Sequence, residues 1–393
     1  MGTSRRVATA AVVALLLGGC TGTPTDVPTS TVTPAPTETR TAAPGPPSPT
    51  GDADPYPTGP ELPPANASPM DVATGLAAPW DLAFLPSGAV LVSLRDEAGL
   101  VVLTAAGPSD VGGEGADQLA ADAFVEGEAG LLGVEVSPTF EQDSLVYLYR
   151  TTPDGNEVVR ARLAPDLTLG PLEPLVVGVP HTWFHDGGRL AFGPDGFLYI
   201  ATGDAGDRPL SQDQGSLAGK ILRVTADGTP APGNPVDGNP MWSYGHRNVQ
   251  GLGWSEDGAM FASEFGANTW DELNVIAPGA NYGWPAVEGV GGRAGFVDPV
   301  VTWRTQDASP SGIAVTADAV YVAALRGERL WKVPLVPGSP GEVGEPEVAL
   351  DGLGRLRHVE LGPDGALWVV TNNTDGRGSP RDGDDRIVRL TPP

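Results

Sequence analysis

A strand–turn–strand unit recurs six times along this chain, and that recurrence restricts the fold more than any other feature. Ala83-Phe84-Leu85-Pro86-Ser87-Gly88-Ala89-Val90-Leu91-Val92 returns as Ala191-Phe192-Gly193-Pro194-Asp195-Gly196-Phe197-Leu198-Tyr199-Ile200, and again as Leu361-Gly362-Pro363-Asp364-Gly365-Ala366-Leu367-Trp368-Val369. Weaker copies lie at 136–140 ahead of 146–149, at 254–261 and at 315–322. In each, an apolar run meets Pro-Asp-Gly or a relative of it and a second apolar run follows, which predicts a hairpin inside a larger sheet. The copies recur every ~45 to 60 residues, a spacing that suits four-stranded blades with insertions and is too long for a solenoid of short repeats. An all-β fold is therefore expected over residues 67–393, a six-bladed β-propeller with four-stranded blades. The strand near Asp71-Val72-Ala73-Thr74 is expected to complete a blade begun by the C-terminal run 386–390, closing the ring. A pair of β-sandwiches is the competing arrangement.

The first 66 residues have a different texture. Arg5 and Arg6 precede an apolar stretch from Val7 to Leu17 that is too short to span a bilayer, and Leu17-Gly18-Gly19-Cys20 follows. This run resembles a bacterial lipoprotein signal: residues 1–19 are expected to be removed and Cys20, the single cysteine, to carry the lipid. Residues 20–66 are dominated by Thr, Pro, Ser, Ala and Gly, cannot offset the entropy of ordering, and read as a disordered tether. The expected location is thus the outer face of the cell membrane.

Charge limits the partners. With 23 basic against 49 acidic residues the net charge is −26, which argues against nucleic acid and requires any anionic ligand to be held by a local nest of cations. Four clusters could carry chemistry. In His185-Asp186-Gly187-Gly188-Arg189, an imidazole suited to accept a hydroxyl proton sits where glycines let the backbone pass close to a ligand; a structural histidine fits the same string. Ser243-Tyr244-Gly245-His246-Arg247-Asn248-Val249-Gln250-Gly251 concentrates polar groups that are costly to bury without a ligand. Glu264-Phe265-Gly266-Ala267-Asn268, Asp271-Glu272 and Asn281-Tyr282-Gly283-Trp284-Pro285 offer oxygen donors, which favour calcium over zinc unless the acids are simply solvated. Arg326, with Arg355 and Arg357 on one face of a strand, suits carboxylates or phosphates.

The motifs Ala78-Pro79-Trp80-Asp81-Leu82, Gly127-Glu128-Ala129-Gly130-Leu131-Leu132-Gly133, His185-Asp186-Gly187-Gly188-Arg189, Gly219-Lys220-Ile221-Leu222-Arg223, Gly245-His246-Arg247-Asn248, Asp271-Glu272-Leu273-Asn274 and Asn281-Tyr282-Gly283-Trp284-Pro285 follow in one order. In this the chain resembles the soluble glucose/sorbosone dehydrogenases, quinoprotein propellers that include bacterial aldose dehydrogenases. The resemblance implies oxidation of an aldose-type sugar at its anomeric carbon to the lactone, with pyrroloquinoline quinone (PQQ) and calcium as cofactors and an extracytoplasmic electron acceptor. It implies His185 as the general base, Arg247 and Asn248 at the quinone oxygens, and Arg326, Arg355 and Arg357 at the PQQ carboxylates. It further implies Gly266 and Ala267 as carbonyl ligands of the catalytic calcium, Glu272 and Tyr282 at a second calcium, Glu128 and Asp204 beside the substrate, and Trp303 as an aromatic wall. Glu128 stands where relatives often carry glutamine, Ala267 where proline is common, and Arg326 where lysine is common. A propeller that only binds carbohydrate or protein, and a calcium-dependent lactonase-like hydrolase, are the competing functions.

Overall fold

The computed structural model describes residues 54–62 and 69–391. Residues 1–19, Cys20 and the remainder of the expected tether lie outside the described residues. Six four-stranded antiparallel sheets are present, each running outward from an innermost strand. The innermost strands are Pro79–Phe84, Leu131–Val136, Leu190–Phe192, Val249–Trp254, Pro310–Val315 and Leu356–Leu361. This is the six-bladed propeller that the repeat predicts, and it excludes the paired sandwiches.

Each repeat is the hairpin between the innermost strand of a blade and its neighbour. In the first, Leu85 N–H donates to Ala89 O at 2.8 Å, Gly88 N–H donates to Leu85 O at 2.8 Å, and Gly88 has φ +82°. The third copy repeats the pattern around Gly196 (φ +79°) and the sixth around Gly365 (φ +74°), which is why the third residue of the Pro-Asp-Gly turn is glycine. Ring closure follows the expected route: Met70–Ala73 pairs antiparallel with Ile387–Leu390, with Met70 opposite Arg389. The last blade is thus made from both ends of the domain, so fraying at either end is opposed by the other.

Burial is greatest between blades. Trp80, Leu132, Tyr147, Tyr149 and Leu198 form one interblade cluster, and Leu82, Val90, Val92, Trp368 and Val370 another. Each fully buried large side chain contributes roughly 1.5–3 kcal/mol relative to exposure. One domain boundary needs correction. Residues 54–62, assigned above to the tether, dock on the propeller: the Tyr56 hydroxyl donates to Leu163 O at 2.7 Å and its ring lies 5.0 Å from that of Phe140. Tyr56 and Leu62 are the large apolar side chains in an otherwise polar segment, and both are packed against core clusters.

Candidate active site

A cleft of about 410 Å³ opens at the mouth of the axial channel where the innermost strands begin, lined by Glu128, His185, Arg247, Phe265, Gly266, Ala267, Asp271, Thr305, Ser309, Leu325, Arg326, Arg355 and Arg377. Four guanidiniums against two carboxylates make this a cationic hollow in a strongly acidic chain, a setting suited to a multiply charged anion.

His185 is held from three directions. Its φ of +62° is strained for a side chain with a Cβ, and its backbone N–H donates to Glu128 Oε2 at 3.0 Å. Gly203 must be glycine, because a Cβ there would lie 1.8 Å from His185 O. The imidazole Nδ1 is 2.6 Å from Asp204 Oδ1, so Nδ1 carries the hydrogen and Nε2 is left as the acceptor. Asp204 also accepts from Trp284 Nε1 at 2.8 Å and from Gly206 N–H at 2.8 Å. Burial opposes its ionisation, but the bond and charge of His185 and these two donors outweigh it and hold Asp204 below the usual carboxylate range. Asp204, expected beside the substrate, is fully buried behind His185 and fixes the orientation of its imidazole.

Glu128 joins three parts of the chain. Besides the His185 amide it meets Arg377 Nη1 at 3.1 Å, and Asn248 Nδ2 approaches at 3.5 Å. Burial would raise its pKa, but the His185 N–H and the Arg377 charge bring it below the usual value, so it is ionised at neutral pH. Asn248 lies fully buried beneath the cleft with Oδ1 accepting from Gly187 N–H at 3.0 Å, which leaves its amide hydrogens with only that long contact.

Arg247 lies over Trp284 at 5.5 Å and donates from Nη1 to Phe265 O at 3.0 Å, while its buried Nε has no partner among the described residues. Arg355 pairs with Asp375 at 3.0 Å and likewise has an unpartnered Nε. Arg326 lines the cleft and is exposed. Arg357 sits deeper. It is 3 % exposed and its guanidinium is spent on Asn372 Oδ1 at 2.7 Å and Gln250 Oε1 at 2.9 Å. Burial first, then neighbouring Arg95 and Arg355, pull its pKa down to about 9. Trp303 does not line the cleft. On the outer strand Val301–Arg304 its alternation with Thr302 and Arg304 turns the ring inward, into an apolar cluster where it lies 6.0 Å from Trp331; the expectation of a pocket wall is corrected.

Two places suit a hard cation. Four successive amides, of Ala267, Asn268, Thr269 and Trp270, donate to Glu288 Oε1 at 2.9 to 3.1 Å. That nest outweighs the burial of Glu288 and holds it below its usual pKa. With these amides drawn to Glu288, no described group donates to the carbonyls of Gly266 and Ala267, both on the cleft wall. Gly266 is required there, since a Cβ would lie 1.7 Å from Trp270 O.

Behind this loop is a cavity of about 10 Å³ bordered by Glu264, Glu272, Glu288, Tyr282 and, on one side, Arg247, room for one water or ion. Glu264 and Glu272 are directly opposed across neighbouring strands, a like-charge placement; Glu264 is held by His246 Nδ1 at 2.8 Å and by the Arg247 N–H, and Glu272 accepts from Gly289 N–H at 2.7 Å and Asn274 Nδ2 at 3.1 Å. Burial and then Glu264 push Glu272 up to about 8, and the buried Oδ1 of adjacent Asn274 has no donor among the described residues. The donor set fits a cation. The Tyr282 hydroxyl is committed to Val275 O at 2.7 Å, so any ligand from this residue is its carbonyl.

Sequence reading missed Arg377, Asp375 and Glu288. The signal for the first two was available: 372–385 is a polar, glycine-rich insertion between two apolar strands, the composition of a functional loop.

The sequence profile described as Glucose / Sorbosone dehydrogenase matches residues 76–383. Aldose sugar dehydrogenase YliI of Escherichia coli is 31 % identical over 335 residues, covering 76 % of this chain and 88 % of that protein. The PQQ-bound aldose sugar dehydrogenase of Streptomyces coelicolor is 49 % identical and superposes with a TM-score of 0.77 over 84 % of this chain and 99 % of its own. The soluble aldose sugar dehydrogenase of E. coli in its apo-form gives a TM-score of 0.72 at 28 % identity, over 83 % and 99 % of the two chains.

Proposed function

Because the chain belongs to the glucose/sorbosone dehydrogenase family, we propose that it is a PQQ-dependent sugar dehydrogenase that oxidises an aldose at its anomeric carbon. The observation that carries this reading is the pairing, at one cleft, of an imidazole oriented by a buried carboxylate with a nest of arginines that keep unpartnered N–H groups. Arg326 and Arg355 would receive the carboxylates of the quinone, with Arg357 supporting the strand beneath, and Arg247 and Asn248 would face its carbonyl oxygens. Gly266 and Ala267 would supply carbonyls to a calcium in the cleft, and Glu264, Glu272 and Asn274 to a second cation that neutralises their facing charges.

When bound, PQQ supplies the electrophilic carbonyl that accepts two electrons as hydride, and calcium supplies Lewis acidity beside it. The protein's part is positioning and proton transfer. His185 Nε2 accepts the proton of the anomeric hydroxyl, and Asp204, kept ionised by Trp284 and Gly206, stabilises the imidazolium that results. With the O–H and C1–H bonds both broken, C1 leaves as the carbonyl of a lactone. Glu128, fixed by Arg377 and the His185 amide, presents a carboxylate edge to sugar hydroxyls.

The chain's place at the outer face of the membrane, anchored through Cys20 and passing electrons to an extracytoplasmic acceptor, is part of the same proposal and rests on the run Leu17-Gly18-Gly19-Cys20. Replacing Cys20 with Ala is expected to release the protein from the membrane fraction; unchanged fractionation removes the anchor. The catalytic reading is tested by His185→Ala, which is expected to abolish dye reduction by aldoses while PQQ uptake persists. Equal turnover by that variant overturns the base assignment.

A further inference from the structure

Glu288 gathers four successive backbone amides on one carboxylate oxygen, and the peptide planes carry that arrangement through to the cleft. The Ala267 and Asn268 N–H groups, at 2.9 and 3.0 Å from Glu288 Oε1, belong to the same peptide units as the Gly266 and Ala267 carbonyls. Both peptide bonds are trans, so each carbonyl points opposite to its N–H, away from Glu288. Thr269 and Trp270, at 2.9 and 3.1 Å, add two bonds that fix the rest of the turn. Satisfying these amides does not by itself call for a carboxylate. Asn268 and Thr269 are exposed, so water would serve their N–H groups. What the carboxylate adds is one common direction for four peptide dipoles, and a charged acceptor that leaves more negative charge on each carbonyl oxygen.

Glu288 is itself held in place. Val287 N–H donates to Gly283 O at 2.9 Å, and Gly289 N–H donates to Glu272 Oε1 at 2.7 Å. Gly289 (φ +75°) also lies against Trp270, where a Cβ would be 2.6 Å from the indole Cδ1. The carboxylate is thus anchored both to the turn that it orders and to the strand Trp270–Ile276 behind that turn.

We propose that Glu288 is the positioning residue of the cleft cation: it aims and polarises the Gly266 and Ala267 carbonyls so that they meet calcium as a ready-made pair. This rests on the sugar dehydrogenase reading, which puts calcium beside PQQ. Glu288 is not among the residues that line the cleft, whereas Gly266 and Ala267 are, so it acts through the turn and not as a ligand.

The test follows PQQ uptake by the full chain as calcium is raised, in the native protein, Glu288→Ala and Glu288→Gln. Glu288→Ala is expected to raise the calcium concentration that half-supports uptake by about 10- to 100-fold, with excess calcium restoring uptake in full. Glu288→Gln keeps an acceptor oxygen without the charge and should fall between the two. An unchanged calcium requirement in Glu288→Ala overturns the proposal, as does a loss of uptake in the folded variant that excess calcium cannot restore, which would make Glu288 a brace of the fold alone. Where Glu288→Ala does not fold, an unchanged requirement in Glu288→Gln overturns it. Carbonyl-carbon NMR shifts of Gly266 and Ala267 in the quinone-free chain separate this from the redox reading. Shifts that move when calcium is added to the native chain, and need more calcium in Glu288→Gln, uphold the positioning role even if the chain takes up no quinone; carbonyls indifferent to calcium overturn it.

Discussion

His185 Nδ1 and Asp204 Oδ1 are 2.6 Å apart, and the far side of the same carboxylate is closed by Trp284 Nε1 at 2.8 Å. The imidazole therefore has one tautomer and one orientation available, with Nε2 toward the cleft. Asp204→Asn keeps the shape and removes the charge that stabilises the imidazolium. Turnover is expected to fall by about 10²- to 10⁴-fold while PQQ titration is unchanged. Because the folded pKa of Asp204 lies below its unfolded value of ~3.9, its stabilisation is present above that pH and is lost as pH falls through the lower folded value. Acid unfolding of Asp204→Asn should accordingly flatten below about pH 4 relative to the native chain.

Glu272 gives the opposite sign. With the folded pKa of Glu272 raised to about 8, stability without added cation is fully present below the unfolded value of ~4.3 and declines as pH rises toward about 8. Calcium should reverse this, raising Tm most at alkaline pH and releasing protons on binding. Glu272→Gln is expected to raise Tm in chelator and to abolish most of the calcium-dependent gain. A native Tm that is indifferent to calcium at pH 8 contradicts the site.

Arg355 and Arg357 are predicted to separate. Arg355→Ala should weaken PQQ uptake, because Arg355 lines the cleft with its Nε unpartnered, and should also lower Tm, because it leaves the buried Asp375 carboxylate without its partner. Arg357→Ala should only destabilise the fold, by about 1–3 kcal/mol, since it strands the buried acceptors Asn372 and Gln250. Thermal unfolding and quinone titration of the two variants, run in parallel, check the division.

Arg377 and Glu128 lie 249 residues apart and meet at 3.1 Å across the cleft rim. Arg377 is 46 % exposed, so the pair should contribute less than about 1 kcal/mol to stability. Its effect is expected in catalysis: Glu128→Gln and Arg377→Ala should each lower kcat/KM, and the double variant should lose no more than the worse single one. Additive losses would mean that the two residues act separately.

The propeller was legible because its hairpins demand Gly88, Gly196 and Gly365 at a left-handed turn position and because apolar strands flank each one. Ring closure was legible for a related reason: a lone strand at each end of the domain needs a partner. His185 and Arg247 stood out as polar residues inside glycine-rich motifs. Trp303 was misplaced because strand alternation decides which face a ring takes, and the outer strand of a blade turns inward toward its neighbour, away from the axis. Asp204 showed only that an acid follows a glycine; that it is buried behind His185 depends on Gly203 approaching His185 O, a tertiary contact with no local signature. Arg377 reaches Glu128 only because the last blade lies near the second across the channel mouth, which no pairwise spacing encodes.

The central claim is that the cleft holds one PQQ beside calcium with His185 as its base. Titrating PQQ into the calcium-loaded chain while following dye reduction by an aldose tests it most directly. Saturation is expected at one quinone per chain, with activity rising in proportion to occupancy and uptake preserved in His185→Ala. A chain that takes up no quinone in the presence of calcium contradicts it.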